Sequence, residues 1–331
     1  MAQPAVSVIL PVRNGSDYLA AALASLTNQT MPDFEVVVVD TASTDRSVEI
    51  VRTMQQNDDR IRLIKAPSSL VAPAARNLGL AHAKGAFIAT LDQDDVLLAD
   101  SLRQQLNCLQ GEEDLAAVGG RIEEIDADGR SILAANQIQQ PESPETVRWV
   151  LPFWCPSTTS ANMYRAAALN TFDGFDERYP LCDDYALLSR MTKAGGVRVL
   201  PSILVQYRRH DAQTSIVRRR RQAVDVVNLA RLIVSERLGY EPPFEHLGAA
   251  IAPSAAQFIE HLAGAKLLCR QLMESQATRR TREEDRLWIE ADHGHRLDAI
   301  EDALRVLSQR ELLVRMDRNQ DPEITLEGGP V

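Results

Sequence analysis

The first hundred residues alternate between two hydrophobic periods. Short apolar runs, VSVIL (6–10), FEVVVVD (34–40), IRLIKA (61–66) and AFIATL (86–91), read as buried strands. Between them the apolar positions recur at helical spacing. In DYLAAALASLTNQ (17–29) Leu19, Leu23 and Leu26 share one face. STDRSVEIVRTMQQ (43–56) reads as a capped helix, and PAARNLGLAHA (73–83) as a third. The order β-α-β-α-β-α-β predicts a parallel sheet covered by helices. Such sheets bind ligands beyond the carboxyl ends of their strands. Three polar tips lie there: PVRN, DTASTD and DQDD.

The alternation weakens after residue 110. LAAVGG and RIEEIDADGRSIL suggest strands, with a turn at Ala127-Asp128-Gly129. QQPESPET is a polar loop leading into a short helix. Residues 158–196 read as a strand, a short helix, a loop and a longer helix. VRVLPSILVQYRRH (197–210) reads as two strands broken at Pro201. From Arg218 the pattern is helical, with Val226, Val227, Ala230, Ile233 and Val234 as an apolar stripe. LGYEPPFEHLG (238–248) breaks it. Helices are expected over Ser254–Leu272, with Ser254 as N-cap, and over Arg282–Arg310. Leu297, Ile300, Leu304 and Leu307 recur at 3-4-3 spacing, which suits an ordinary packed helix or a short seam joining two copies of the chain. The tail DRNQDPEITLEGGPV (317–331) reads as disordered.

Composition narrows the picture little. The 331 residues are 45% apolar and 25% charged, ordinary for a globular protein. A formal charge of -10 argues against nucleic acid as a bulk partner. The four cysteines, Cys108, Cys155, Cys182 and Cys269, are scattered without a C-x-x-C pair, so neither a zinc site nor a disulfide framework is indicated. That usage fits a reducing cytoplasm. The apolar run after Met1 is too short for a signal peptide, and no run is long enough to span a bilayer. The expected location is cytoplasmic, with peripheral contact at the inner face of the membrane as an option. RRRR (218–221) bears on that option. It is either a solvated helix start or a contact for an anionic lipid head group or a lipid-pyrophosphate acceptor.

The chemistry gathers in ATLDQDDVLLAD (89–100). Three carboxylates, Asp92, Asp94 and Asp95, repel one another across four residues. Asp92 and Asp94 fall on one side of an extended backbone because side chains alternate. Two hard oxygen ligands suit Mg²⁺ or Mn²⁺, which use one or two carboxylates and complete their shells with phosphate and water. The plain alternative is helix capping by Asp95 or Asp100. Asn14-Gly15-Ser16 makes a turn whose polar groups either contact a base or phosphate or only link strand to helix. Asp40 ends a strand, where its carboxylate can accept a pyrimidine N–H. Arg76 is a phosphate clamp or an exposed helix charge. Asp183-Asp184 is a general base with its neighbour, or an N-terminal pair complementing the helix dipole. His210, with Arg208 and Arg209 beside it, is a metal ligand, a phosphate contact or a structural imidazole. Trp154 stacks on an acceptor sugar or belongs to the core. Asp292-His293-Gly294-His295 is assigned to the surface.

Five stretches in order, SVILPVRN, SLTNQTMPDFEVVVVDTASTD, ARNLGLAHAKGAFIATLDQDD, DGFDERYPLCDDYALLSR and YRRHDAQTS, resemble the recurring motifs of family 2 glycosyltransferases of the GT-A fold. The resemblance runs from about Val6 to Ser215. The G-x-G-x-x-G and G-x-x-x-x-G-K signatures of other nucleotide sites are absent. The resemblance implies an α/β GT-A catalytic domain over 1–218, a Rossmann-like mixed sheet flanked by helices. A helical extension would follow over 219–316. It implies an inverting transfer of a sugar from a nucleoside diphosphate sugar to a glycan or lipid-linked acceptor, with Mg²⁺ or Mn²⁺ as cofactor. Asp94 matches the direct metal ligand, with His210 as a candidate third ligand, and Asp92 matches a ribose contact or metal support. Pro11, Arg13, Asn14, Asp40 and Thr41 match the nucleotide pocket, which Arg76 and Gln93 would join. Asp184 matches the general base and Asp183 its neighbour. Arg13 stands where the family has an aromatic residue, and Thr41 replaces an acid that contacts uracil in many members. UDP is the favoured donor nucleotide, and dTDP and GDP stay open beside it. The rival readings are a sugar-nucleotide nucleotidyltransferase and a non-catalytic nucleotide-sugar-binding scaffold.

Overall fold

The middle of the sheet is β1 (Val6–Val12), and its sequence shows why it is buried on both faces. Val6, Val8, Leu10 and Val12 point into one apolar core, while Ile9 points into the other. The computed structural model describes residues 3–132, 140–256, 258–277, 279 and 281–319. β1 leads through α1 (Leu19–Thr27) to β2 (Phe34–Asp40), then α2 (Ser47–Gln55), β3 (Ile61–Lys65), α3 (Ala72–His82) and β4 (Phe87–Thr90). β2 and β4 flank β1 in parallel, and β3 pairs in parallel with β2. The alternating period of the first hundred residues therefore forms the predicted parallel half-sheet.

The second half is mixed. β5 (Val96–Leu97) is followed by α4 (Ser101–Gly111), β6 (Leu115–Ile125), α5 (Pro144–Val150), β7 (Met163–Arg165), α6 (Ala166–Asn170), α7 (Asp183–Ala194) and β8 (Gly196–Arg208). The eight strands lie in the order β3-β2-β1-β4-β7-β6-β8-β5. β7 is antiparallel to both β4 and β6, and β8 is parallel to β6.

β8 departs from the expectation of two strands broken at Pro201, since it runs on through that residue. Leu200 pairs with Gly120 and Ile203 with Arg121, so Pro201 and Ser202 are bulged out of register. A bulge removes the need for the N–H that proline lacks.

One glycine fixes the depth of α3. A Cβ on Gly79 would come within 2.5 Å of Ile9 Cγ2, so the helix lies close against β1 and β2. Arg76, one turn earlier, is thereby set into the sheet's carboxyl end.

The chain divides into two compact units, 1–233 and 234–331. α8 (Thr214–Val217) and most of α9 (Arg219–Leu238) belong to the first, where Val226, Leu229 and Ile233 pack on the core holding Leu187, Leu188 and Met191. The second unit is helical: α10 (Phe244–Ile251), α11 (Ile259–Ala277) and α12 (Glu283–Asn319). It buries Leu247, Leu262, Leu268, Leu272, Ile289 and Ile300. Two expectations shift there. α10 begins inside the sequence read as a breaker, and Ser254 sits in a 3₁₀ turn (Pro253–Ala255) ahead of α11. The tail expected to be disordered lies outside the described residues from 320 onward. Among the described residues no helix is long and apolar enough to cross a membrane.

Candidate active site

A cavity of about 1020 Å³ opens at the carboxyl ends of the parallel strands, within the first unit. The β1 tip supplies Pro11, Arg13 and Asn14, and the β2 tip supplies Thr41. α3 supplies Arg76, and the β4 tip supplies Asp92, Gln93 and Asp94. The start of α7 supplies Asp183 and Asp184, and Arg209 and His210 follow β8. Residues far apart in sequence are thus gathered on one wall. Asp40, Trp154 and Arg208 do not line it. Asp40 is 4% exposed, and its carboxylate accepts the Ser43 N–H at 3.3 Å.

The strand tips hold one another. Gln93 Oε1 accepts the Arg13 N–H at 2.9 Å, and its Nε2 donates to the Arg13 carbonyl at 3.2 Å. Asn14, at φ +48°, accepts the Thr44 N–H on Oδ1 at 2.8 Å. Asp45 accepts N–H groups from Ser16 and Ser47. Burial works against the Asp45 carboxylate, but these donors hold it at about 2. Thr41 directs its hydroxyl at the Val12 carbonyl, 3.1 Å away.

Arg76 dominates the electrostatics. It is 3% exposed, and its guanidinium meets Asp92 Oδ1 and Asp183 Oδ2 at 2.5 Å each. One buried cation therefore ties the β4 tip to the start of α7. The reading of Arg76 as an exposed helix charge is excluded by its burial. Its charge is locked in by the two carboxylates despite the cost of burial.

Each acidic pair then has a second member without that cation. Asp94 Oδ2 lies 2.9 Å from His210 Nε2. Burial and the Asp92 charge push the Asp94 carboxyl up, against the pull of His210. Asp184 accepts the Tyr185 N–H at 2.7 Å. Burial first, and the adjacent Asp183 second, push Asp184 up to about 7. Asp183 is raised by burial against the opposing pull of Arg76.

Asp95 serves the scaffold. It is 1% exposed, accepts the Ser160 hydroxyl at 2.5 Å and the Arg208 N–H at 3.0 Å, and is held well above the usual carboxylate range by burial. Arg208 reinforces the same loop, donating to the carbonyls of Asp94, Asp126 and Ala127. Arg209 pairs with Glu124 at 2.5 Å. Asp100 directly precedes α4 without capping it by its side chain, and instead accepts the Thr30 hydroxyl at 2.6 Å.

Two contributors escaped the sequence reading. Tyr18 lines the cavity, its ring centroid 4.8 Å from that of His210 and 4.8 Å from the Arg208 guanidinium. Ser160 accepts the Asp92 N–H at 3.0 Å while donating to Asp95. Tyr18 directly follows the polar tip of β1, which was the available signal. Ser160 had none, because its partners lie 65 and 68 residues away.

Among the described residues no three His, Cys, Asp or Glu side chains form a metal cage. Asp94 and His210 nevertheless converge on the cavity as one carboxylate and one imidazole. That donor set fits Mg²⁺ or Mn²⁺ where diphosphate oxygens and water complete the shell.

The sequence profile of glycosyl transferase family 2 matches residues 7–171, from β1 to the end of α6. The chain is a member of that family. Asp183, Asp184 and His210 lie beyond the matched segment. A chondroitin synthase of Pasteurella multocida is 29% identical over 214 residues, 64% of this chain and 21% of its own. The chain spans less than half the length of the curated relatives it first matches. Among solved structures, S. aureus TarS 1–349 in complex with UDP-GlcNAc superposes with a TM-score of 0.60 at 19% identity, covering 92% of this chain and 91% of that 1–349 fragment. The mannosyltransferase PcManGT of Pyrobaculum calidifontis, in complex with GDP-Man and Mn²⁺, gives 0.57 at 18%, covering 92% and 88%. The fold is GT-A, a mixed sheet flanked by helices with a helical C-terminal region.

Proposed function

We propose that this family 2 member moves a sugar from a nucleoside diphosphate sugar to an acceptor hydroxyl, with inversion, in the synthesis of a surface polysaccharide or related glycan. The observation that carries the reading is the cavity's pairing of Asp94–His210 with Asp184, the two sides joined through Arg76. The polysaccharide setting is supported by the chondroitin synthase relative. UDP leads as donor nucleotide, with TarS bound to UDP-GlcNAc in support; dTDP and GDP remain options, the latter because PcManGT binds GDP-Man.

Asp184 is the base. At about 7 its carboxyl is poised to take the proton of an acceptor hydroxyl near neutral pH. The hydroxyl oxygen attacks the anomeric carbon as the bond to the diphosphate breaks, and the proton stays on Asp184. Asp183, ion-paired with Arg76, adds its charge to the burial that raises its neighbour. The β1 and β2 tips hold the nucleoside, with Arg13, Asn14 and Thr41 at hand and Gln93 fixing the loop. Asp94 and His210 would hold Mg²⁺ or Mn²⁺, which supplies positive charge to the leaving diphosphate.

The test is calorimetric titration of UDP, dTDP and GDP with and without Mn²⁺, followed by a screen of their sugars for nucleotide release. Metal-dependent binding of one of the three supports the reading. If none binds in a metal-dependent way, the reading is wrong. The anomeric configuration of the product, read by NMR, decides inversion.

A further inference from the structure

The segment that closes one side of the cavity also has an outer side. Thr214, Ser215, Arg218 and Gln222 line the cavity. Among them Ile216 and Val217 are 45% and 67% exposed. Arg219, Arg220 and Arg221 are exposed too, and Val224, one turn along α9 from Arg220 and Arg221, is 45% exposed. Arg221 pairs with Asp225 at 3.2 Å. Arg218, Arg219 and Arg220 make no ion pair among the described residues. Residues 211–225 set four arginines against two acids, Asp211 and Asp225, in a chain of net charge -10.

A solvated helix start needs charge but no exposed aliphatic pair. Adjacent apolar side chains and unpaired guanidiniums are what an anionic bilayer surface binds: phosphodiesters take the guanidiniums, and the head-group boundary takes the aliphatic groups. The chain's overall negative charge works against such contact, and this rim carries its longest run of consecutive arginines, Arg218 to Arg221. The rim also forms the cavity wall, which sets the cavity mouth against whatever surface the rim touches.

We propose that residues 216–221 dock the protein on an anionic phospholipid surface, with Ile216 and Val217 at the head-group boundary and Arg219 and Arg220 on phosphates. The cavity then faces an acceptor hydroxyl carried in that surface. Docking stands by itself; the acceptor's origin rests on the transfer reading above.

The test sediments the full chain with phosphatidylcholine vesicles, with and without phosphatidylglycerol, and measures donor hydrolysis separately in their absence. The expected result is binding to the anionic vesicles alone, weakened by sodium chloride. Arg219→Ala with Arg220→Ala should weaken it about tenfold or more, and Val217→Ser by less, with donor hydrolysis unchanged. No binding to anionic vesicles, equal binding to neutral ones, or full binding by the double variant would overturn the proposal. Vesicle binding by a chain that binds none of UDP, dTDP and GDP in a metal-dependent way supports docking and removes the transfer reading.

Discussion

The β4 tip and the start of α7 each present a pair of acids to the same cavity, and they are held in opposite ways. Asp92 and Asp94 sit on a loop anchored from many sides, by Ser160 and Arg76 at Asp92, by Gln93, by Arg208 and by the buried Asp95. Asp183 and Asp184 sit on a helix whose own N-terminus supplies one N–H, with Arg76 as the added support. In both pairs Arg76 neutralises one acid and leaves the other for chemistry. The anchored loop suits a fixed partner, such as a metal held by a diphosphate. The sparsely bonded Asp184 suits a group that must gain and lose a proton.

The contrast is broken most severely at Asp184. Asp184→Asn should lower kcat by about 10²–10⁴-fold with little change in donor KM, since proton transfer alone is removed. In the parent protein the rate should rise as pH rises toward about 7 and level above it, because a protonated Asp184 cannot accept a proton. A pH-independent rate in the parent, or full activity of the variant, would exclude Asp184 as the base.

The next effect in size is structural. Arg76→Met leaves Asp92 and Asp183 without their shared cation, and denaturant titration should show a loss of about 3–5 kcal/mol at pH 8. Because buried Asp183 can then take up a proton more readily, the loss should shrink on acidification. Ser160→Ala touches only the anchored loop. It strips a donor from buried Asp95 and an acceptor from the Asp92 N–H, and should cost about 1–3 kcal/mol.

The smallest effect separates the two pairs by sign. The folded protein holds the Asp184 proton up to about 7, against an ordinary 3.8. Stability from this group is complete below 3.8 and is lost as pH rises through about 7. Asp184→Asn removes that loss, so thermal melts should show a gain at pH 8 and little change at pH 4. Destabilisation at pH 8 would mean the carboxylate is better satisfied than its single N–H donor indicates.

Much of this was legible in the chain. The short apolar runs and the 3.6-period stretches of the first ninety residues gave the parallel half-sheet, and the polar strand tips gave one part of the cavity wall, including Arg13, Asn14, Thr41, Asp92 and Asp94. What stayed hidden depends on contacts between distant residues. Arg76 meets Asp183 across 107 positions, so its sequence neighbourhood suggests a surface charge or a phosphate clamp. Arg208 looks like a ligand-binding cation beside His210, yet its three carbonyl partners come from two other loops. Asp40 ends its strand as expected, but its carboxylate turns back to Ser43. Pro201 signals a break, and only the pairing partner β6 shows it to be a bulge.

The reach of Arg76 also sets a rule for recombining this chain with its relatives. The matched family segment ends at residue 171, between the helix that carries Arg76 and the helix that carries Asp183. A chimera joined there would separate donor and recipient of one buried ionic contact. It should fold well only when the incoming half brings an acid to the Asp183 position. The two halves are therefore poor interchangeable parts, and a library of grafts that replace the chain beyond residue 171 should be filtered on that one residue before any other.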